Sequence, residues 1–140
     1  MRALVQRVSS ASVTVDRERV AAIGAGLLVL LGVRRTDTDA DADRIARKLL
    51  ALRVFDDQDG RMNRSVTDVE GEIICVSQFT LYGDARRGNR PSYVEAAAPE
   101  EAERLYERVI AGVGAQGGRF GARMAVELVS DGPVTVLLET

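Results

Sequence analysis

Two hydroxyls and a carboxamide, Ser77, Gln78 and Thr80, flank one aromatic ring, Phe79, where the apolar run 73–76 ends. Hydroxyls at the end of a strand are candidates for nucleophilic attack or for hydrogen bonding to a substrate. The chain has no histidine, however. A Ser-His-Asp or Cys-His arrangement is therefore excluded. The bases that remain are carboxylates, the single lysine Lys48, or a group carried by the substrate itself. A site without a strong base still accelerates cleavage of an activated ester by two routes. Main-chain N–H groups hold the developing oxyanion, at about 3 kcal/mol per donor, and positioning supplies much of the rest. Cys75 lies inside the apolar run with no cation beside it in sequence to lower its pKa. It is expected to be an inert core residue.

The next group is Arg86, Arg87 and Arg90, directly after the first. The planar guanidinium suits phosphate oxygens, so this cluster reads either as a phosphate contact or as a solvated loop. The net charge of −2 gives the whole molecule no basic field. Gly112, Gly114 and Gly117 fit the dinucleotide spacing GxGxxG, but they follow a helical segment and precede a strand, the reverse of what that motif needs. They are expected to form a loop over 112–121. The alternating acids Asp37, Asp39, Asp41 and Asp43 lack the glycine and closing glutamate of a calcium loop. The run from Asp56 to Gly60 reads as a tight turn. With no histidine and one cysteine, no zinc site is expected, and no metal or cofactor is assigned. Asp131-Gly132-Pro133 reads as a hairpin turn. Its glycine lets backbone carbonyls approach a ligand closely.

These groups need elements to hold them. Residues 2–15 alternate well enough for two short strands. Segments 20–23, 27–33 and 72–79 read as further strands, the second apolar throughout and so buried on both faces. An N-cap cluster at 36–39 opens a helix with Ile45, Leu49 and Leu52 on one face. Pro99 and two acids open another, with Ala102, Leu105, Val109 and Ile110 as its inner stripe. Two last strands are expected at 122–129 and 134–138. The fold class is α/β, or α+β-like: a mixed, largely antiparallel sheet with two main helices packed on it. One domain over residues 1–140 is expected from the length. The longest apolar stretch, 21–33, is too short for the roughly 20 residues a bilayer needs. Arg2 and Arg7 break any leader-like core at the start. One cysteine without such a leader points to a reducing cytoplasm.

The segments MRALVQRVSSASVTVD, MNRSV, SQFTLYGD, RPSY, GRFGARM and DGPVT together resemble the D-aminoacyl-tRNA deacylases, first described as D-tyrosyl-tRNA deacylases, over essentially the whole chain. The resemblance implies a metal-independent cytoplasmic homodimer. Its substrate would be the ester between a D-amino acid and the terminal adenosine of tRNA, with glycyl-tRNA as a second substrate. It implies a pocket lined by Ser77, Gln78, Phe79 and Thr80. Thr80 is either a nucleophile or a positioning residue beside main-chain amides at 79–80 and an activating adenosine 2′-OH. The missing histidine favours the latter, and a 2′-OH requirement selects RNA rather than DNA. Gly132-Pro133 matches the family's Gly-cisPro pair, which enters the partner subunit's pocket and excludes L side chains by shape. Arg7 matches the residue that braces this pair, and Phe120 and Met124 match positions near the adenosine; both also fit a core role. The chain departs from the family at Ser130, where asparagine is common, and at Arg123, where aspartate is frequent.

Two other readings stay open at this level. One is a non-catalytic module that binds aminoacyl-tRNA or RNA through Arg86, Arg87 and Arg90. The other is a hydrolase that forms an acyl-enzyme on Ser77, Thr80 or Cys75.

Overall fold

A computed structural model describes residues 1–140. Its centre is one long strand, β1 (Arg2–Val15). The sequence reads as two strands here because the inward parity changes: Ala3 and Val5 face one core cluster, and Val8, Ala11 and Val13 face another. The structure joins them without a break. The first half of β1 pairs antiparallel with β3 (Gly26–Gly32), and the second half pairs with β2 (Glu18–Ile23). Strand β6 (Glu72–Ser77) lies parallel to β3, and the two-residue β7 (Gln116–Gly117) lies parallel to β6. The sheet then bends back on itself. The Gln116 carboxamide accepts the Ala22 N–H at 2.9 Å and donates to the Ala22 carbonyl at 3.0 Å. One side chain thus does for β2 and β7 what a ladder does elsewhere, and the sheet is nearly a barrel.

Helices α1 (Asp39–Ala51) and α2 (Pro99–Val113) pack together on one face. Thr38 begins α1 in extended conformation, and Asp41 reaches back to accept its N–H at 2.8 Å, satisfying a donor that the first turn leaves free. Ile45 and Leu49 on α1 join Leu105 and Val109 on α2 in the larger core cluster. Leu27, Val29, Leu31, Ile73 and Cys75 supply its floor, while the alternate residues Leu28, Ile74 and Val76 face the second cluster. Strands β3 and β6 are therefore apolar on both faces, as a strand buried on both sides must be. Truncating a fully buried leucine such as Leu49 or Leu105 to alanine costs about 2–5 kcal/mol. No helix is long and apolar enough to cross a membrane.

A short hairpin, β4 (Arg53–Asp56) and β5 (Met62–Ser65), carries the acidic turn. Its Asp57 carboxylate accepts from the N–H groups of Asp59 and Arg61 and from the Asn63 amide. The expected loop at 112–121 instead holds the end of α2 and strand β7.

The largest correction concerns the end of the chain. Residues 130–133 do not form a hairpin turn between two strands that pair with each other. Strand β8 (Ala125–Glu139) is continuous, and both of its halves pair antiparallel with β1. Val8 opposes Ser130 and Gln6 opposes Thr135. Arg7 alone therefore faces the excursion of Asp131, Gly132, Pro133 and Val134, a special bulge of four residues against one. The Gly132–Pro133 peptide bond is cis, and Gly132 has φ +128°.

Candidate active site

Strand β6 stops at Ser77, earlier than the run 72–79 implies, because the chain turns there. Ser77 pairs with Leu31 in parallel register, and the Gln78 N–H donates to the Leu31 carbonyl at 2.8 Å. Residues Phe79–Tyr82 then wind into a single 3-10 turn. The Leu81 N–H bonds to the Gln78 carbonyl. The N–H groups of Phe79 and Thr80, first in the turn, have no acceptor within it. Gln78 Nε2 donates to Thr80 Oγ1 at 2.9 Å, which fixes the threonine hydroxyl over the start of the turn.

Two other segments complete a cleft of about 530 Å³ around this turn. One crosses the end of β3: Arg34 bridges to Ala96, and the Ala97 N–H donates to the Val33 carbonyl at 2.9 Å. It brings Tyr93, Ala96, Ala97 and Pro99 to one wall. The other precedes β8 and supplies Phe120, Gly121, Ala122 and Met124. Ser77, Gln78, Phe79, Thr80, Phe120 and Met124 thus share one cavity. Phe120 and Met124 are half-buried: each lines the cleft and packs against a core cluster.

The lining contains no carboxylate, lysine, arginine or cysteine; Tyr93 is its only titratable residue. Cys75, two residues before Ser77, is fully buried, and desolvation pushes its thiol up to about 12. A thiol in that state is no nucleophile near neutral pH. Behind the strand, the Tyr106 hydroxyl donates to the Cys75 carbonyl at 2.7 Å and is pushed up to about 12, chiefly by desolvation. Chemistry in this cleft falls to hydroxyls, one amide and main-chain dipoles.

Gly132 and Pro133 are exposed and line no part of this chain's own cleft. They ride on the excursion of β8, whose outer edge is unpaired and whose Leu128, Val129 and Leu137 are exposed. Arg7 holds the excursion from behind. Its Nε donates to the Asp131 carbonyl at 3.1 Å and its Nη1 to the Val54 carbonyl at 2.8 Å. Its side chain is only 10% exposed.

Residues 4–139 match the family described as D-Tyr-tRNA(Tyr) deacylase. The chain belongs to this family. The D-aminoacyl-tRNA deacylase of Chlorobaculum parvum is 53% identical over 146 residues, covering 100% of this chain and 98% of that protein. That of Desulfitobacterium hafniense is 54% identical over 145 residues, covering 100% and 97%. Among solved structures, the c-Myc DNA Unwinding Element Binding Protein is similar with TM-score 0.94 and 43% identity, covering 100% of this chain and 99% of that one. A probable eukaryotic D-amino acid tRNA deacylase gives TM-score 0.85 at 18% identity over 98% and 97%, a likeness of fold.

In this deacylase the arginine loop stands next to the cleft wall. Asp84 and Ser92 bridge its two ends, and Ser92 adjoins Tyr93. The loop forms a hollow of about 560 Å³ lined only by polar and charged residues, Asp84, Arg86, Arg87, Arg90 and Ser92. Arg86 is already engaged: Asp84 accepts from its Nε at 2.9 Å and its Nη2 at 2.7 Å. That guanidinium holds the Asp84 carboxyl down at about 2. Arg87 and Arg90 are exposed. Asp84 and Arg86 are only two residues apart, so this pair is a local contact within the loop. Tyr93 carries no chemical signal of its own, since its segment is brought across by long-range main-chain contacts: the Arg34–Ala96 bridge, the Arg35 N–H to the Glu95 carbonyl and the Ala97 N–H to the Val33 carbonyl. Of the two family departures, Ser130 pairs with Val8 in the sheet, and Arg123 is exposed.

Proposed function

We propose that this deacylase hydrolyses the ester joining a D-amino acid, or glycine, to the terminal adenosine of tRNA, within the cleft at Ser77–Thr80. Water adds to the ester carbonyl. The oxyanion that forms is held by the N–H groups of Phe79 and Thr80. The adenosine 2′-OH accepts the proton lost by the attacking water as it passes its own to the departing 3′-oxygen, so collapse leaves an intact ribose diol and the free amino acid. Gln78 and Thr80 position the substrate, and Phe120 and Met124 contact the adenosine. The observation that carries this reading is a cleft lined by hydroxyls, one amide and the start of a 3-10 turn, with no carboxylate, lysine, arginine, histidine or cysteine to serve as base. Such a site requires the helper group to arrive with the substrate.

The chain acts as one domain and as a homodimer. Three features support this: the unpaired edge of β8, its exposed Leu128, Val129 and Leu137, and the outward excursion at Gly132-Pro133. In the dimer the Gly132-Pro133 carbonyls enter the partner's cleft and fill the space that an L side chain needs. A main-chain filter of this kind is indifferent to side-chain identity. Arg86, Arg87 and Arg90 meet tRNA phosphates. The setting is the cytoplasm, the partner is RNA rather than DNA or membrane, and no cofactor takes part.

The deciding assay incubates the protein with D-tyrosyl-tRNA and L-tyrosyl-tRNA and measures ester remaining. Release from the D form alone is expected, and a 2′-deoxy terminal adenosine should abolish it. An intact D ester after long incubation, with strongly salt-dependent binding, would instead establish a non-catalytic RNA-binding module. Sedimentation of the free protein tests the dimer.

A further inference from the structure

The rim of the cleft carries an aromatic pair that the hydrolysis does not use. Phe79 is 55% exposed and Tyr93 40%. Their rings meet edge to face, with centroids 5.0 Å apart and planes at 68°. The position of Tyr93 is built in. A Cβ on Gly83 would lie 2.9 Å from Tyr93 Cε1, so only a residue without a side chain lets the ring rest there. Two exposed aromatic rings in contact form a contiguous apolar patch beside a groove, the kind of patch that marks an interaction or ligand site. On one side of the pair lies the apolar cleft; on the other, one residue along the chain, begins the arginine hollow with exposed Arg87 and Arg90.

An aromatic face beside exposed cations is the arrangement that binds an unpaired nucleic-acid strand: bases stack on rings, and phosphates track the cations. It does not suit a base-paired helix, whose bases are already stacked. We propose that Tyr93, supported by Phe79, is the stacking platform for the base that precedes the terminal adenosine. Arg87 and Arg90 hold the phosphates that follow toward the body of the RNA. This rests on the reading of the cleft as the aminoacyl-adenosine site and extends it by a second nucleotide. The enzyme then reads two features of its substrate, the ester in the cleft and an unpaired strand leading to it.

The test compares kcat/KM for D-alanyl-adenosine with that for the D-alanyl ester of the trinucleotide CCA. The wild-type protein should gain about tenfold from the two added nucleotides. Tyr93→Ala should erase most of that gain, whatever its effect on the nucleoside ester, and Tyr93→Phe should retain it. Arg87→Ala with Arg90→Ala should flatten the salt dependence for the trinucleotide more than for the nucleoside. Independently, 2-aminopurine placed before the terminal adenosine of a non-hydrolysable amide analogue should be quenched by the wild-type protein and not by Tyr93→Ala. An equal gain in Tyr93→Ala and wild type, or no gain in wild type, overturns the platform. Failure to cleave even the nucleoside ester would instead overturn the reading of the cleft.

Discussion

Arg7 and Asp131 stand on neighbouring strands, and the Arg7 guanidinium donates to the Asp131 main-chain carbonyl at 3.1 Å where the two strands part. The same side chain reaches the Val54 carbonyl at 2.8 Å and lies 3.5 Å from the Asp56 carboxylate. It therefore joins the root of the β8 excursion to the small hairpin. Arg7→Ala removes these donors and leaves the buried Val54 carbonyl unmet, a cost of about 1–3 kcal/mol. Thermal unfolding should show that loss. The ratio of D to L hydrolysis should fall in parallel, because the excursion is no longer fixed. Arg7→Lys, with one compact ammonium in place of a fork, should fall between. A variant that is destabilised yet fully selective would separate the brace from the filter.

Gly132 has φ +128°, a conformation that L side chains rarely adopt. An added Cβ would lie 2.9 Å from the Val134 nitrogen and 3.2 Å from Arg7 Nη2. Gly132→Ala should cost about 1–3 kcal/mol and shift the excursion. Chirality assays should then show either weaker rejection of L-aminoacyl-tRNA or poorer entry of the D form. Unchanged selectivity would count against a filter at this position.

Thr80 Oγ1 is tied to Gln78 and has no base beside it. Thr80→Ala should keep the main-chain donors and lose no more than about tenfold in kcat, one positioning hydrogen bond to substrate. Intact-mass measurement during turnover should find no acyl-enzyme. Complete loss of activity together with a trapped adduct in the wild type would make Thr80 the nucleophile.

Stability should be level between about pH 5 and 8 and fall on both sides. On the acid side, Asp41, Asp57 and Asp68 sit below their ordinary 3.8. Thr38, Asn63 and Ser65 respectively donate the leading hydrogen bonds to their charged forms. A depressed carboxyl stabilises the fold above 3.8 and loses that contribution as pH drops through its folded value. On the alkaline side, burial pushes Cys75 from 9.0, and Tyr82 and Tyr106 from 10.0, up to about 12. The unfolded chain then releases protons first, so stability declines as pH climbs from about 8 toward 12. Melting temperature across pH 2–11 checks both limbs. The rate profile should lack an inflection near 6.5, the titration range of the absent histidine.

Much of this architecture is legible in residue order. Both helices begin where Thr38 and Pro99 announce them, and the double-sided burial of β3 follows from its unbroken apolar run. The excursion at 131–134 is not, because Asp-Gly-Pro carries the same signal whether a chain reverses or bulges. What distinguishes the two is the partner of the flanking segments, and β1 takes both across more than a hundred residues of sequence. The same holds within the cleft. Ser77–Thr80 declares itself by chemistry, since hydroxyls and an amide adjoin a strand end. Tyr93 does not, because an exposed tyrosine in an irregular loop has no periodicity, and its place depends on distant main-chain contacts between 95–97 and 33–35. The parity change within β1 reads as a chain break for a similar reason, as pattern alone cannot separate a gap from a strand that changes faces.

The curved sheet is held around its circumference by ladders except at one joint, where side chains do the work: the Gln116 carboxamide clasps Ala22, and Arg119 donates to Glu18 at 2.8 Å. A cylinder with a single stitched seam admits solvent there first. Amide exchange at Ala22 should therefore outrun that of the β1–β3 ladder, and Gln116→Glu, which sets a carboxylate against a carbonyl, should widen the difference. The wall that ends in Ser77 would then breathe from the side opposite β1.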